Sequence, residues 1–297
     1  MPAAITHYLH GQRVRQLLAD MRFWIPDENA FCWGVQGPDV FLVHRALPWQ
    51  RGESLAPYAV RIHRSPPAPF LGRMRAYYRI VSDQALLSYL YGFLCHYTLD
   101  STMHPFVLWA ARRLREQDAS QHSVTCHNAE ESALDDILLR YERGLLPIEF
   151  RSRWMLPRSE LLQRKIAQLY DDLFSGCFDI QAGAETCYQA TQDFRTACRL
   201  IDDRTGLKSA FLRWHERHGD HKLSSLFHGI SEEGDFDYAN TAHAPWRFGK
   251  AGGESSAFTL YEQSVPIAAA RIRDFLETED LESLLGRLDF LGREVSR

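Results

Sequence analysis

Apolar residues recur along most of the chain at intervals of three and four, the spacing that places them on one face of an α-helix. Alternating runs rich in Val or Ile, the pattern typical of strands, are missing. The pattern therefore predicts an all-α protein. We expect helices over residues 5–21, from about 28 up to Gly34, and over 70–82, 84–101, 105–115, 124–143, 159–175, 184–201, 255–277 and 279–291, with a break at Pro105.

Two stretches rich in glycine, proline and polar residues interrupt these helices. Residues 47–69 carry several prolines and arginines and are predicted to form an extended loop around His63. Residues 229–254 carry several glycines and predict a second long loop. Neither an internal repeat nor a long linker divides the chain, so residues 1–297 are expected to form one domain.

The stretch Tyr91–Pro105, YGFLCHYTLDSTMHP, concentrates residues that can bind a metal. His96, Asp100 and His104 are four residues apart in an otherwise apolar helical run, so they lie on one helix face. Eight residues of helix rise by about 12 Å, whereas zinc ligands lie about 2.0–2.2 Å from the ion. His96 and His104 cannot easily bind the same ion, and Asp100 between them could bridge two. A carboxylate buried among apolar residues needs a cation, which favours a metal cluster.

A second pair of candidate ligands lies downstream. His127 and Glu131 are four residues apart in CHNAEESALDD and form a two-ligand clip for a divalent ion, with Asp135 one turn further along the same face. With His104 they would complete a three-ligand site that leaves room for water or substrate. A single pair of this kind is usually a surface ion pair, so the prediction depends on both sets together.

The composition of the chain mainly excludes several classes of function. The chain of 297 residues has a net charge of −4 and no polybasic tract, so general binding to nucleic acid or to an anionic membrane is not favoured. No apolar run reaches the roughly 18 residues needed to cross a bilayer, and the N-terminus lacks a signal-peptide pattern. Six cysteines without a C-x-x-C motif indicate reduced thiols and a cytoplasmic protein.

Taken together, the motifs resemble the zinc-dependent phospholipase C family and, more broadly, the helical trinuclear-zinc phosphoesterases that include the P1-type nucleases. The resemblance is carried by an N-terminal Thr-His, by GPD, by HYTLDSTMHP and by the later His-x-x-x-Glu. Near the C-terminus, NTAHAPW and SSAFTLYEQSVPIAA resemble the closing segments of bacterial members. The resemblance covers residues 4–141 and 236–275, and residues 149–230 are expected to be a helical insert of unknown role.

Carried over to this chain, the resemblance implies two zinc sites, and a possible third, that share one bridging carboxylate. The implied ligands of the first ion are Asp39, His63, His96 and Asp100. Those of the second ion are His104, His127 and Glu131, and the third ion is held by His7 with Asp100. His44 is the alternative to His63, and His10 is the alternative to His7. Secreted members also use an N-terminal tryptophan exposed by processing, whereas this chain begins Met1-Pro2.

The resemblance implies hydrolysis of a phosphodiester, a phospholipid among the possible substrates, by zinc-activated water, with Asp39 able to accept a proton. The alternatives are a nuclease of the same fold and a metal-stabilised helical binding or scaffold protein without catalysis. The candidates to orient ligands or line the pocket are Trp33, Tyr97, Asn128, Asp135, Asn240 and Trp246, although residues of these types are more often ordinary core or surface residues. The histidine-rich stretch 214–221 is interpreted as a solvated helix end.

Overall fold

The computed structural model describes residues 3–228 and 236–295 of the chain. Its helices are α1 (Ala4–Asp20), α2 (Glu28–Gly34), α3 (Ala56–His63), α4 (Pro67–Val81), α5 (Gln84–Gln117), α6 (Ser123–Arg143), α7 (Ser152–Met155), α8 (Glu160–Phe178), α9 (Ala184–Ile201), α10 (Leu207–His215), α11 (Ala257–Asp274) and α12 (Leu281–Leu285). Short 3₁₀ turns lie at Gly37–Phe41, Pro147–Glu149 and Ser224–Leu226. Two short strands, β1 (Trp246–Phe248) and β2 (Ala251–Gly253), pair antiparallel. The all-α prediction is confirmed.

The long helix α5 forms the centre of the fold. It begins where the Asp83 side chain accepts hydrogen bonds from the backbone N–H groups of Ala85 and Leu86, and it runs without interruption to its end at Gln117. Its middle is buried on all sides, and helices α1, α2, α6 and α11 pack against it. A helix that is apolar all round belongs in a protein core. No helix of the described residues has the length and apolar character of a membrane span.

The predicted break at Pro105 is wrong. Pro105 has no backbone N–H to donate to the carbonyl of Ser101, yet α5 continues through it. Gly292, in the C-terminal segment, lies against this turn: a Cβ on Gly292 would come within 2.4 Å of Pro105 Cγ and 2.9 Å of the Ser101 carbonyl oxygen. Packing of the C-terminal segment onto the proline covers the interrupted turn, so a tertiary contact overrides the local helix-breaking tendency.

The extended loop predicted at 47–69 is wrong over much of its length. Helix α3 begins one residue before Pro57, and α4 begins at Pro67. Proline is favoured in the first turn of a helix, because its missing N–H would have no intrahelical partner there. Ala59 and Ile62 are buried and hold α3 against the core. The prolines of this stretch therefore start helices instead of preventing them.

The predicted loop over residues 229–254 contains a hairpin. Residues 229–235 lie outside the described residues. In the remainder, β1 and β2 pair, and Gly249 turns the chain between them with φ +60°. The Trp246 ring packs against the Phe106 ring of α5, with centroids 5.6 Å apart, and this contact fixes the hairpin to the core.

The C-terminal helices are shorter than predicted. Helix α11 covers most of the range predicted at 255–277, whereas the helix predicted at 279–291 ends at Leu285. Gly286 follows with φ +79°, a conformation that favours glycine and ends the helix. The other predicted helices match α1, α2, α4, α6, α8 and α9 within a few residues, and α7 and α10 complete the middle region.

The buried apolar side chains form one continuous cluster that draws on helices from α1 to α12. A very close backbone contact joins α2 to α5 within it. A Cβ on Gly34 would lie 2.1 Å from the Tyr89 carbonyl oxygen, and a Cβ on Gly92 would lie 2.3 Å from that of Phe31. Only glycine fits at these two positions. The contact brings the turn that follows α2 beside the middle of α5.

We predict that Gly92→Ala destabilises the protein, because the added methyl group would overlap the Phe31 carbonyl oxygen. The contact between α2 and α5 must then widen, at a cost of about 1–3 kcal/mol. Urea unfolding followed by circular dichroism measures the loss. Gly219→Ala is the matched control, since a Cβ there meets no atom within 4 Å. Equal unfolding midpoints for the two variants would contradict the prediction.

Candidate metal centre

All the side chains that the sequence analysis names as metal ligands converge at the middle of α5. They come from the first turn of α1, the 3₁₀ turn at Gly37–Phe41, the end of α3, the middle of α5 and the first half of α6. Their donor atoms form three groups, within each of which the atoms lie no more than 4.8 Å apart. The groups are His7, His96 and Asp100; Asp39, His63 and His96; and His104, His127 and Glu131.

Asp100 lies at the junction of these groups. Its Oδ1 is 3.2 Å from His7 Nε2 and 3.4 Å from His104 Nδ1. Its Oδ2 is 3.2 Å from His96 Nε2 and 3.6 Å from His63 Nε2. His96 and His104 thus face different oxygens of the same buried carboxylate. One side chain contacts histidines from all three groups, which is the arrangement that a bridging ligand requires.

The group at α6 is the one most open to solvent. Glu131 Oε1 lies 3.1 Å from His127 Nε2 and 3.6 Å from His104 Nε2. The His104 and His127 rings are nearly parallel, with centroids 5.6 Å apart. The His127 side chain is 23% exposed, more than any other candidate ligand. Of the three groups, this one therefore offers the most exposed candidate ligand to a small molecule in solvent.

Backbone carbonyls orient the histidines of the group around Asp39. His63 Nδ1 is 2.7 Å from the carbonyl oxygen of Ala59, and His96 Nδ1 is 3.2 Å from that of Val35. When Nδ1–H donates to these carbonyls, Nε2 presents its lone pair to the centre, as metal-binding histidines require. His63 Nε2 lies 3.0 Å from Asp39 Oδ1. The backbone therefore sets the ring orientation and the tautomer together.

Gly37 gives this group the space that it needs. Its φ is +52°, a backbone conformation that favours glycine, and a Cβ on it would lie 2.4 Å from the His96 ring. In the sequence, GPD supports the family resemblance but carries no sign of this contact. The structure adds that the Gly37 backbone packs directly on a candidate ligand. No signal in the sequence could have indicated that contact.

Several donor atoms of the centre fit a metal better than they fit one another. His96 Nε2, Asp100 Oδ2 and His104 Nδ1 are buried and make no hydrogen bond of good geometry with the described residues. Leaving buried polar atoms unsatisfied is costly, and a cation would satisfy all three. Imidazole nitrogens combined with carboxylate oxygens are donors that suit zinc. The residues present therefore fit a zinc centre.

The electrostatics of the centre lead to the same conclusion. Burial alone would raise the pKa of Asp100, but the facing His104 and His96 imidazoles hold it well below its usual range. Burial likewise opposes a charge on His104, but the carboxylates of Asp100 and Glu131 raise its pKa from 6.5 to about 9. In the metal-free protein, a proton on His104 takes the place of a metal ion beside these carboxylates. The buried carboxylates of the centre are thus stable in their ionised form only beside a positive charge.

The two alternative histidines lie outside the three groups. His44 Nδ1 accepts a hydrogen bond from the backbone N–H of Leu55 at 3.0 Å, which holds its ring near the start of α3. His10 is buried between α1 and α11 with its ring edge-on to Tyr261, and burial lowers its pKa to about 3. The geometry therefore brings His63 and His7, and not these two, to the centre.

Asp135 connects α6 to the helix that carries His7. Its carboxylate accepts hydrogen bonds from the backbone N–H groups of Thr6 at 2.7 Å and Ile5 at 3.4 Å. These N–H groups belong to the first turn of α1, where a carboxylate satisfies donors that lack intrahelical partners. Asp135 is therefore a positioning residue for His7.

The other residues expected near the site have structural partners. Three of these side chains donate hydrogen bonds to backbone carbonyls outside the three groups: Trp33 to Pro157, Tyr97 to Leu285 and Leu288, and Trp246 to Ser255. Asn240 Nδ2 donates to the Ala244 carbonyl in its own loop, and Asn128 is half-buried on α6.

Phe290 is a neighbour that sequence reasoning missed. Its ring lies 5.4 Å from the His63 ring and 5.9 Å from the His96 ring. It follows the end of α12, in a range predicted as helix, so its place depends on how the C-terminal segment folds back.

A sequence comparison agrees with this geometry. The family described as zinc dependent phospholipase C matches the chain over residues 6–180. The chain belongs to the zinc-dependent phospholipase C family. The matched range covers more than half of the chain, contains every candidate ligand and continues through α8. It does not reach residues 236–275, where the resemblance stays a prediction. No curated protein and no solved structure matches the chain.

We predict that the zinc affinity of the metal-free protein rises with pH up to about 9. Burial disfavours a charge on His104, but the carboxylates of Asp100 and Glu131 raise its pKa to about 9 in the metal-free centre. Below that pH, zinc must therefore displace the proton of His104. Each unit of pH decrease then weakens binding about tenfold for each displaced proton.

Titration with chelator-buffered zinc, at pH values from 6.5 to about 9, measures this dependence. Proton release in weakly buffered solution is the second readout. An affinity that stays constant over this range would contradict the raised pKa.

Proposed function

We propose that the protein is a zinc-dependent phosphodiester hydrolase that acts in the manner of a phospholipase C, with water activated by zinc as the nucleophile. The observation that carries the proposal is the convergence of three donor groups on the bridging carboxylate of Asp100, in a chain that belongs to this family. We infer that the whole chain works as one domain, with the part of residues 149–230 that lies beyond the family match, which ends at residue 180, as an insert. The expected cytoplasmic location stays a prediction.

The proposed ligand sets are those that the family resemblance implies, and all their residues belong to the three groups. They are Asp39, His63, His96 and Asp100 for one zinc, His104, His127 and Glu131 for a second, and His7 with Asp100 for a third. Two ions are the core of the proposal. The third depends on an additional ligand near the N-terminus, and Met1 and Pro2 lie outside the described residues.

Bound zinc would lower the pKa of water and polarise the phosphoryl oxygens. The protein's own contribution is to hold ionised carboxylates in fixed positions. The pKa of Asp39 is about 2, because the His63 hydrogen bond and the His96 imidazole outweigh its burial. Asp39 is therefore ionised at neutral pH, the form that a metal ligand and a proton acceptor both require, although so low a pKa makes it a weak base. The open side of the centre, at His127, is where a phosphodiester would enter.

A nuclease is the second candidate within the same chemistry, since a nucleic-acid backbone is also a phosphodiester. A non-catalytic scaffold is the third. Assays of a phospholipid and of single-stranded nucleic acid, each with and without a zinc chelator, separate the three. Turnover of the lipid alone supports the proposal, turnover of the nucleic acid alone supports a nuclease, and turnover of neither supports a scaffold.

We predict that His96→Ala lowers the zinc content by at least one ion per chain, because its imidazole belongs to two of the three groups. Mass spectrometry with inductively coupled plasma measures the zinc content of the purified protein. His215→Ala, at the exposed end of α10, is the matched control and should retain all zinc. A wild-type protein with fewer than two zinc ions, unchanged by His96→Ala, would refute the proposed centre.

We predict that Asp39→Asn lowers kcat for a soluble phosphodiester, such as a nitrophenyl phosphocholine, by about 10²–10⁴-fold, since the amide cannot accept the proton. Zinc content is measured in parallel. A large loss of rate with zinc retained supports proton acceptance, whereas a parallel loss of zinc leaves Asp39 only the role of a ligand. Asp274→Asn, on the exposed end of α11, is the control and should keep the wild-type rate.

A further inference from the structure

Helix α10, in the region where the sequence carries no recognised motif, exposes an apolar face. Leu207, Phe211 and Trp214 have exposed fractions of 70%, 61% and 59%. Their spacing of four and then three residues places them on one side of the helix, and the Phe211 and Trp214 rings lie 6.1 Å apart. Ser209 is the helix's single buried residue. Clustered exposed apolar groups of this size mark an interaction surface.

The basic side chains around this face are more exposed to solvent than the acidic ones. The acidic residues between positions 203 and 223 each accept hydrogen bonds from backbone N–H groups, and none is fully exposed: Asp203, Glu216 and Asp220. The basic residues of the same segment are all exposed: Arg204, Lys208, Arg213, Arg217 and Lys222. The surface is therefore locally cationic, although the whole chain has a net charge of −4.

We propose that this α10 surface, formed by Leu207, Phe211, Trp214 and the five basic residues around them, docks the protein onto a phospholipid membrane with anionic headgroups. Aromatic and aliphatic side chains enter the boundary between headgroups and acyl chains, and basic side chains pair with the headgroup phosphates. Arg217 lies over the Trp214 ring, 4.9 Å from its centroid. The Arg217 guanidinium and the Trp214 ring would thus meet the membrane at the same point. The role of the lipid as substrate rests on the proposed function.

Two other occupants fit this surface less well. In a two-fold dimer the α10 surface would face itself and bring like charges together, which the basic residues oppose. Single-stranded nucleic acid would stack its bases on aromatic rings, but Leu207 and Leu223, exposed at 70% and 49%, offer no ring to stack on. Aliphatic, aromatic and cationic groups together match a lipid surface.

Docking through α10 would bring the metal centre to the lipid. Gln121 Oε1 accepts a hydrogen bond from the N–H of His221, and the N–H of His122 donates to Asp220. The segment after α10 is therefore joined to the start of α6. His127, the most exposed candidate ligand, follows on α6 after about one and a half turns. The segment that follows α10 is thus in direct contact with the start of the helix that carries His127.

Sedimentation with vesicles tests the proposal on the intact, zinc-loaded protein. We expect binding to vesicles of phosphatidylcholine mixed with phosphatidylglycerol, and weaker binding at high salt. Phe211→Ser/Trp214→Ser should weaken that binding about tenfold or more, and Trp214→Phe should retain it. Trp24→Ser/Trp49→Ser is the matched control, since it removes two tryptophans that are 76% and 71% exposed elsewhere, and it should bind like the wild type.

A second variant keeps the test independent of the apolar positions. Arg204→Gln/Lys222→Gln should weaken binding to the anionic vesicles about 25-fold, by about a factor of five for each of the two charges removed. Wild-type binding to vesicles by both double variants would overturn the proposal, as would a wild-type protein that binds no vesicles. Loss of oligonucleotide binding or of dimers in Phe211→Ser/Trp214→Ser, with vesicle binding unchanged, would assign the surface to nucleic acid or to a second copy instead.

Hydrolysis of a soluble nitrophenyl phosphocholine is measured for the same proteins. We expect equal rates for the wild type and all variants, because none of the changed residues belongs to the metal centre. If no protein hydrolyses this compound or a phospholipid, the proposed function fails while vesicle binding still decides the docking surface. If hydrolysis is normal and vesicle binding does not depend on α10, the docking surface fails alone.

Discussion

A buried carboxylate surrounded by imidazoles is the interaction on which the rest of this structure depends. Asp100 lies within the apolar core, where an ionised group is costly unless positive groups face it, and histidines from α1, α3 and α5 do so. Satisfying one side chain therefore requires three helices to meet. Helix α5 must keep its regular turn up to His104, directly before Pro105, to hold His104 beside Asp100, and glycines must let the neighbouring backbone approach.

The sequence predicts those parts of the centre that lie within one or two helical turns. His96, Asp100 and His104, and likewise His127 and Glu131, repeat every four residues, and such a repeat defines a shared helix face before any tertiary contact forms. The all-α fold follows from the same period along the whole chain. The ligands outside α5 and α6 have no local pattern, and only the family resemblance indicated them.

The remaining features depend on contacts between distant segments. The proline-rich stretch 47–69 has the same local signal whether its prolines start helices or prevent them, and the burial of α3 decides between the two. Gly37 carries a turn signal but no sign of the His96 ring on which it packs. Nothing near Phe290 in the sequence indicates that it contacts His63. Such contacts are determined by the packing of the whole core, which local patterns do not encode.

The hydrogen bonds that Asp135 accepts from the start of α1 have a consequence for how the proposed centre would gain and lose ions. They join a carboxylate to backbone N–H groups and need no metal, so His7 is held beside Asp100 by the fold itself. Ligands that are already ordered lose little chain entropy when an ion arrives. A zinc finger is the opposite case, because there the ion folds the chain. The proposed centre would accordingly be a reversible one, from which an ion can leave and to which it can return without refolding.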